Sequence, residues 1–132
     1  MAADRKHYSA RVVEAHSAPR NYVFKVHAGE TLLLGRRTTR LPGWRWAIRT
    51  DGRGGWIPAS CLGTDGERAT ATALTDFDGA ELNLRPGELL IVEQEIDDWG
   101  LARTGGGMRG WIPLRCIEPL TPARERVQKS EF

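Results

Sequence analysis

Residues 44–62 read WRWAIRTDGRGGWIPASCL, and residues 99–117 read WGLARTGGGMRGWIPLRCI. The two stretches align without a gap at an offset of 55 and are identical at 8 of 19 positions, including Trp44 with Trp99 and Trp56 with Trp111. The 132-residue chain has only 5 tryptophans, so two matched pairs are hard to obtain by chance. The chain therefore contains an internal repeat, and one fold is expected for both copies.

The repeat continues upstream in two further blocks. VFKVHAGETLLL (23–34) pairs with ELNLRPGELLIV (81–92), and VVEAH (12–16) pairs with ALTDF (73–77). The extra residues of the first copy fall between these blocks, where loops tolerate insertions. We predict two domains, residues 8–63 and 69–120, with flexible termini at 1–7 and 121–132. The linker between them is short, polar and glycine-containing, so the domains should lie close together.

The pattern within one copy predicts short strands separated by turns. In the second copy Leu82 and Leu84 alternate with polar residues, and residues 89–92 form an apolar run of strand length. Residues 99–104 and 110–112 should pair as a hairpin around the glycines at 105–107, which we expect to supply positive φ angles. A single helical turn is expected after Pro58 and Pro113. The predicted class is therefore all-β.

Composition excludes several classes of protein. The net charge is +2 with both signs interspersed, which argues against a dedicated nucleic-acid binder. Two cysteines, Cys61 and Cys116, do not make a disulfide scaffold, and we expect both to be buried, inert thiols. The histidines lack metal-ligand spacing, no motif of a known catalytic site is present, and no cofactor is expected. Without an apolar leader or membrane-spanning run, we predict a soluble, cytoplasmic protein that is not an enzyme.

The ordered blocks resemble the Src-homology-3 (SH3) family. The second copy has ALTDF where that family has ALYDY, followed by ELNLRPGE, DDWGLAR and GWIPLRC. The resemblance covers nearly all of both copies and is similar to the compact tandem forms found in bacteria. It implies two small five-stranded SH3-like barrels in tandem. The core residues that it implies are Ala73, Leu82, Leu84, Leu90, Val92, Ala102 and Ile112, with Val12, Phe24, Val26, Leu32, Leu34, Ala47 and Ile57 in the first copy.

The SH3 family binds proline-rich peptides in an aromatic groove, and the resemblance places a groove in each copy. In the second copy the implied peptide-binding residues are Phe77, Trp99, Trp111, Pro113, Asp78 and Glu81, and in the first copy they are His16, Trp44, Trp56 and Pro58. Some family rings are missing, because Thr75 and Glu14 stand at the first tyrosine position and Cys116 and Cys61 at the last. A proline-rich ligand is therefore only one of the peptide or protein partners that the sequence allows.

Three functional hypotheses remain open. The first is a peptide- or protein-binding adaptor, in which two weak sites on one chain would add avidity. The second is an assembly protein whose modules pack together or form a homodimer without a free peptide ligand. Under any of the hypotheses Trp46, opposite Leu101 in the repeat, is expected to pack rather than to bind. The third is a single-strand nucleic-acid binder, suggested by a basic cluster interleaved with Trp44 and Trp46. That cluster consists of Arg36, Arg37, Arg40, Arg45, Arg49 and Arg53.

Overall fold

The computed structural model describes residues 7–20, 22–37, 41–64 and 69–120, so residues 1–6 and 121–132 of the predicted termini, most of the linker and Arg40 lie outside it. The described chain is all-β, with twelve strands and two 3-10 turns. The strands are β1 (Tyr8–Val12), β2 (Lys25–Val26), β3 (Thr31–Leu34), β4 (Trp44–Ile48), β5 (Gly54–Pro58), β6 (Leu62–Thr64), β7 (Thr70–Ala73), β8 (Phe77–Asp78), β9 (Leu89–Ile96), β10 (Trp99–Thr104), β11 (Arg109–Pro113) and β12 (Ile117–Pro119). The turns, Ala59–Cys61 and Leu114–Cys116, confirm the helical turn expected after each Ile-Pro pair.

The strands form three antiparallel sheets. Sheet 1 has the order β5-β4-β3-β7-β6, sheet 2 has the order β11-β10-β9-β1-β12, and β2 pairs with β8 in a two-stranded sheet. Within the described residues no sheet closes into a barrel, since β5 and β6 end sheet 1 and β11 and β12 end sheet 2. The all-β class predicted from the sequence is confirmed.

The two copies exchange their first strands. Strand β1 begins the first copy but lies between β9 and β12 of the second, with Ala10 opposite Leu90 and Val12 opposite Ile117. Strand β7 begins the second copy but lies between β3 and β6 of the first, with Leu32 opposite Ala71. The sequence repeats at 8–63 and 69–120 therefore do not coincide with the sheets, because each five-stranded sheet contains strands from both copies.

The short linker gives a physical reason for this exchange. Strand β6 ends at Thr64 and β7 begins at Thr70, and the two pair as antiparallel neighbours with Thr64 opposite Ala71. Consecutive strands joined by so few residues commonly form a hairpin. Once β7 has paired with β6, it occupies the place in sheet 1 that β1 would take in a serial arrangement, and β1 completes sheet 2.

Equivalent glycines close equivalent turns in the two copies. Gly29 and Gly87 have φ angles of 92° and 96°, and Gly52 and Gly107 have φ angles of 90° and 92°. The amide of Gly107 donates to the carbonyl of Thr104, so one residue with positive φ completes the β10–β11 hairpin. The prediction that all the glycines at 105–107 supply positive φ is therefore wrong for the first two.

The strand predicted around Leu82 and Leu84 is reduced to isolated bridges. Glu81 bridges to Trp111 and Leu84 bridges to His16, and no regular ladder joins them. The reason is that this segment crosses from one neighbour to another: the amide of Leu82 donates to the carbonyl of Trp111, whereas the amide of Leu84 donates to the carbonyl of His16. Both leucines are nevertheless buried, as the alternation predicted.

The buried side chains form two clusters, one for each five-stranded sheet. All the predicted core residues are buried except Leu34, which is half-buried. Because of the strand exchange, Val12 of the first copy packs in the cluster of sheet 2, and Ala73 of the second copy packs in the cluster of sheet 1. Trp111 joins the cluster of sheet 1, and Ile96 and Leu101 of sheet 2 pack against the same cluster, so the two sheets are held together by apolar contacts.

Glu93 joins three neighbouring strands of sheet 2 at the surface. Its carboxylate on β9 accepts hydrogen bonds from Arg103 Nε on β10 and Arg109 Nε on β11, both at 2.9 Å. The hydrogen bond from Arg103, reinforced by Arg109, lowers the pKa of Glu93 although partial burial opposes this. The folded state therefore releases the proton of Glu93 more readily than the unfolded chain does.

The lowered pKa of Glu93 predicts a pH-dependent stability. The contribution of Glu93 is fully present above the unfolded carboxyl pKa of about 4.3 and is lost as the pH falls through the lower folded value. We expect Glu93→Gln to cost about 1 kcal/mol at neutral pH, since both arginines are partly exposed, and less at about pH 3. Urea unfolding at both pH values measures this, with Glu118→Gln at the exposed Arg11 pair as the control. A cost of Glu93→Gln that does not change with pH would contradict the account.

Candidate binding cleft

An aromatic cleft of about 410 Å³ lies where the two sheets meet. All five tryptophans of the chain line it, although they are spread from residue 44 to residue 111. The other lining residues are Tyr22, Phe24, Leu41, Gly54, Gly55, Phe77, Gly79 and Glu81. We call this feature the aromatic cleft. Its walls combine residues of both sequence copies.

Two buried tryptophans form the floor of the cleft. The rings of Trp44 and Trp111 meet edge to face at a centroid distance of 5.1 Å, and they are only 8% and 5% exposed. Each indole N–H has a carbonyl partner at 3.2 Å, which is Ile96 for Trp44 and Asp78 for Trp111. Because the N–H donors are satisfied and the rings are covered, these two residues mainly join the sheets.

Sheet 1 provides one wall, in which Trp46 and Trp56 face each other across β4 and β5. Their rings meet edge to face at 5.2 Å and remain half-buried. Gly54 allows this arrangement, because a Cβ atom there would lie 2.7 Å from Cζ2 of Trp46. Tyr22 and Phe24 extend the wall as a second edge-to-face pair. The small residues of β5 thus let large rings lie close to the backbone.

Sheet 2 and the segment before β9 provide the other wall. The ring of Trp99 meets the ring of His16 edge to face at a centroid distance of 6.3 Å. His16 Nε2 lies 2.8 Å from Oε1 of Glu81, and both side chains are largely buried. This wall therefore presents one half-buried tryptophan beside a carboxylate, whereas the wall of sheet 1 is aromatic.

Strand exchange redistributes the residues that the sequence places in two grooves. Phe77, predicted to share a groove with Trp99 and Trp111, meets Trp111 at 6.1 Å and also Trp44 of the first copy at 6.3 Å. His16, predicted to share a groove with Trp44, instead meets Trp99. Six of the ten predicted site residues line the same cleft, and so does Trp46, which was expected to pack. Those six are Phe77, Trp99, Trp111, Glu81, Trp44 and Trp56, and His16 contacts two of them.

The remaining predicted residues lie elsewhere. Pro58 and Asp78 line a second groove of about 730 Å³, beside Cys61 and Thr75. The Asp78 carboxylate is exposed and lies 3.9 Å from Nζ of Lys25. Pro113 is buried at the end of β11 and lines neither of these two grooves. The two prolines at equivalent sequence positions thus have different surroundings.

Apart from three glycines, four lining residues were not predicted for the site: Tyr22, Phe24, Leu41 and Trp46. Phe24 was expected in the core, where it is also found, and Trp46 was expected to pack. The sequence offered one signal for the additional site residues, which is that Trp46 aligns with Leu101 and not with another tryptophan. Which sheet faces meet is a tertiary property that the repeat does not contain.

The thiols do not add chemistry to the cleft. Cys116 is buried and Cys61 is half-buried, and neither forms a disulfide. Burial raises the pKa of both thiols, so they are protonated at neutral pH. Within residues 7–20, 22–37, 41–64 and 69–120, no group of three or more potential metal-ligating side chains comes together.

Replacement by phenylalanine is expected to affect stability differently at Tyr22 and at Tyr8. The hydroxyl of Tyr22 is shut off from solvent without a hydrogen-bond partner among the described residues, whereas the hydroxyl of Tyr8 donates to Glu95. Burying an unpaired hydroxyl is costly, so Tyr22→Phe should leave stability unchanged or raise it by about 1 kcal/mol. Tyr8→Phe should instead lose roughly 0.5–1.5 kcal/mol. Thermal unfolding of the two variants tests this, and equal losses would contradict it.

Comparisons of the chain with protein-family models, with curated proteins and with solved structures give no match. No helix in the described part of the chain has the length and apolar character needed to cross a membrane.

Proposed function

We propose that this chain is a non-catalytic peptide- or protein-binding adaptor, built from two SH3-like modules that exchange their first strands and share one binding site. The observation that carries the proposal is that all five tryptophans line a single cleft. Indole rings are costly to leave in contact with water, and their concentration in one concave surface is typical of a binding site.

The cleft suits an extended peptide. Trp46, Trp56 and Trp99 are half-buried, so each keeps part of its ring accessible. Indole rings accept proline rings and other apolar side chains, and a peptide that is already extended loses little conformational entropy on binding. The buried pair Trp44 and Trp111 needs no ligand to satisfy its N–H groups, which leaves the three half-buried rings to make the contacts.

Fluorine NMR of protein labelled with 5-fluorotryptophan provides the test. Single Trp→Phe substitutions assign the five resonances, and arrays of extended peptides, proline-rich and proline-free, are then titrated. We expect a binding peptide to shift Trp46, Trp56 and Trp99 more than Trp44 and Trp111, because the first three are more exposed.

Variants locate the binding surface. Trp56→Ala and Trp99→Ala should each weaken a binding peptide by about tenfold or more. The controls are Leu74→Ala and Leu89→Ala, which remove side chains that are each 62% exposed and lie outside the cleft. The proposal fails if no peptide in the array shifts any tryptophan resonance, or if the control substitutions weaken binding as much as the tryptophan substitutions do.

A further inference from the structure

Two arginine side chains lie on aromatic rings of the sheet 1 wall. The guanidinium carbon of Arg37 is 4.2 Å from the ring centroid of Trp46, and that of Arg53 is 5.3 Å from the ring centroid of Tyr22. Both rings line the aromatic cleft. A guanidinium that stacks on a ring uses its flat face and keeps its N–H edges for another partner. The rim of this wall is therefore positively charged and rich in hydrogen-bond donors.

These two arginines have no carboxylate partner among the described residues, whereas a neighbour does. Arg49 pairs with Glu30 at 3.1 Å and with Asp51 at 3.7 Å. Asp51 also accepts a hydrogen bond from the backbone amide of Arg53, but no ion pair joins it to the Arg53 side chain. The charge of Arg49 is thus neutralised within the fold, while no carboxylate in the described part of the chain neutralises Arg37 or Arg53.

The opposite wall carries one carboxylate, that of Glu81, which lies 2.8 Å from His16 Nε2. Glu81 lines the cleft from the side of sheet 2, and Asp97 lies close by, where its carboxylate accepts the amide of Gly43 at 2.8 Å. A nucleic-acid strand carries a negative charge on every residue and would bring phosphates toward these carboxylates. A peptide can instead place a carboxylate on one wall and leave the other wall to uncharged or basic groups. The charge pattern therefore favours a peptide over a polyanion.

We propose that the aromatic cleft binds an extended peptide segment that carries a carboxylate, and that Arg37 and Arg53 hold this carboxylate. The inference rests on the proposed function and adds the chemistry of the ligand to it. Arginine forms paired N–H···O bonds with a carboxylate, and the ring beneath each guanidinium fixes its orientation before the ligand arrives. The apolar part of the peptide then lies on Trp56 and Trp99.

Matched peptides provide the test. Each probe is a short extended peptide with a proline-leucine centre, made once with two glutamates at one end and once with two glutamines there. Binding is followed by the fluorine resonances of the labelled tryptophans. We expect the glutamate peptide to bind about tenfold more tightly than the glutamine peptide, as for a charge-assisted hydrogen bond.

The double variant Arg37→Gln, Arg53→Gln should abolish this preference, and Arg85→Gln should retain it, since Arg85 is exposed and lies outside the cleft. Melting curves check that the double variant is folded. Equal binding of both peptides, or a preference that survives in the double variant, overturns the inference and leaves the proposed function intact. Tighter binding of oligo-dT with the same arginine dependence overturns it in favour of nucleic acid. If neither peptide shifts a resonance and the wider array is also silent, both proposals fail.

Discussion

Neither half of the chain is expected to fold when the polypeptide is divided in the linker. Residues 1–64 lack β7, which lies between β3 and β6 in sheet 1, and residues 65–132 lack β1, which lies between β9 and β12 in sheet 2. Each fragment therefore loses an internal strand together with buried residues of its core, Ala71 and Ala73 in one case and Ala10 and Val12 in the other. In each fragment, the two strands that flank the missing strand are left with unpaired backbone N–H and C=O groups.

Circular dichroism and thermal unfolding of the separate fragments measure this effect. Each fragment alone should show no cooperative transition, and an equimolar mixture should recover the β signal, since mixing restores both internal strands. The intact chain cleaved in the linker after folding is the control and should remain folded. A cooperative transition in either isolated fragment would contradict this prediction and show that the fragment's own first strand can replace the missing one.

Trp111→Ala should be among the most destabilising single substitutions in the protein. The Trp111 side chain is 5% exposed, packs on Trp44 of sheet 1 and on Phe77 of the two-stranded sheet, and donates its N–H to the carbonyl of Asp78. Its removal leaves a cavity at the junction of the sheets, for which the expected cost is about 3–5 kcal/mol. Domains of ordinary stability have about 5–15 kcal/mol in total, so the loss is a large fraction.

The equivalent position in the repeat supplies the matched control. Trp56 aligns with Trp111, but it is half-buried and pairs with Trp46 within its own sheet. We expect Trp56→Ala to cost less than half as much stability as Trp111→Ala while weakening peptide binding more. Urea denaturation gives both stabilities. Equal costs at the two positions would mean that Trp111 does not join the sheets as described.

The local features of the fold were readable from the sequence because they depend on a few neighbouring residues. Gly29, Gly52, Gly87 and Gly107 occur at repeat-equivalent positions and close repeat-equivalent turns. The alternation of apolar residues likewise identified the buried positions. These features are fixed by side-chain type and backbone sterics, which act over a few residues.

The strand exchange was not predicted, because the repeat does not distinguish β1 from β7. Val12 and Ala73 hold equivalent positions in the two copies, so both strands show the same apolar alternation, although their side chains differ in size. A repeat cannot by itself assign such strands to their partners. The available signal was the linker length, since the few residues between Thr64 and Thr70 favour a hairpin between β6 and β7 over a connection between separate modules.

The grouping of the candidate site residues also depends on which sheet β1 and β7 join. The residue types of the grooves were predicted from the family resemblance, but their grouping followed the order of the sequence. Exchange brings Phe77 to Trp44 and His16 to Trp99, and it packs Trp111 into the junction between the sheets. Two separate grooves, which would have given avidity, are replaced in our proposal by one cleft to which both copies contribute.

Backbone nuclear Overhauser effects between strands test the exchange most directly. In the arrangement described here, the protons of Ser9 and Ala10 are close to those of Ile91 and Leu90, and the protons of Leu32 are close to those of Ala71. The account predicts cross-strand signals from β1 to β9 and from β7 to β3. Signals from β1 to β3 and from β7 to β9 in the monomeric chain would instead show two serial modules and contradict the exchange.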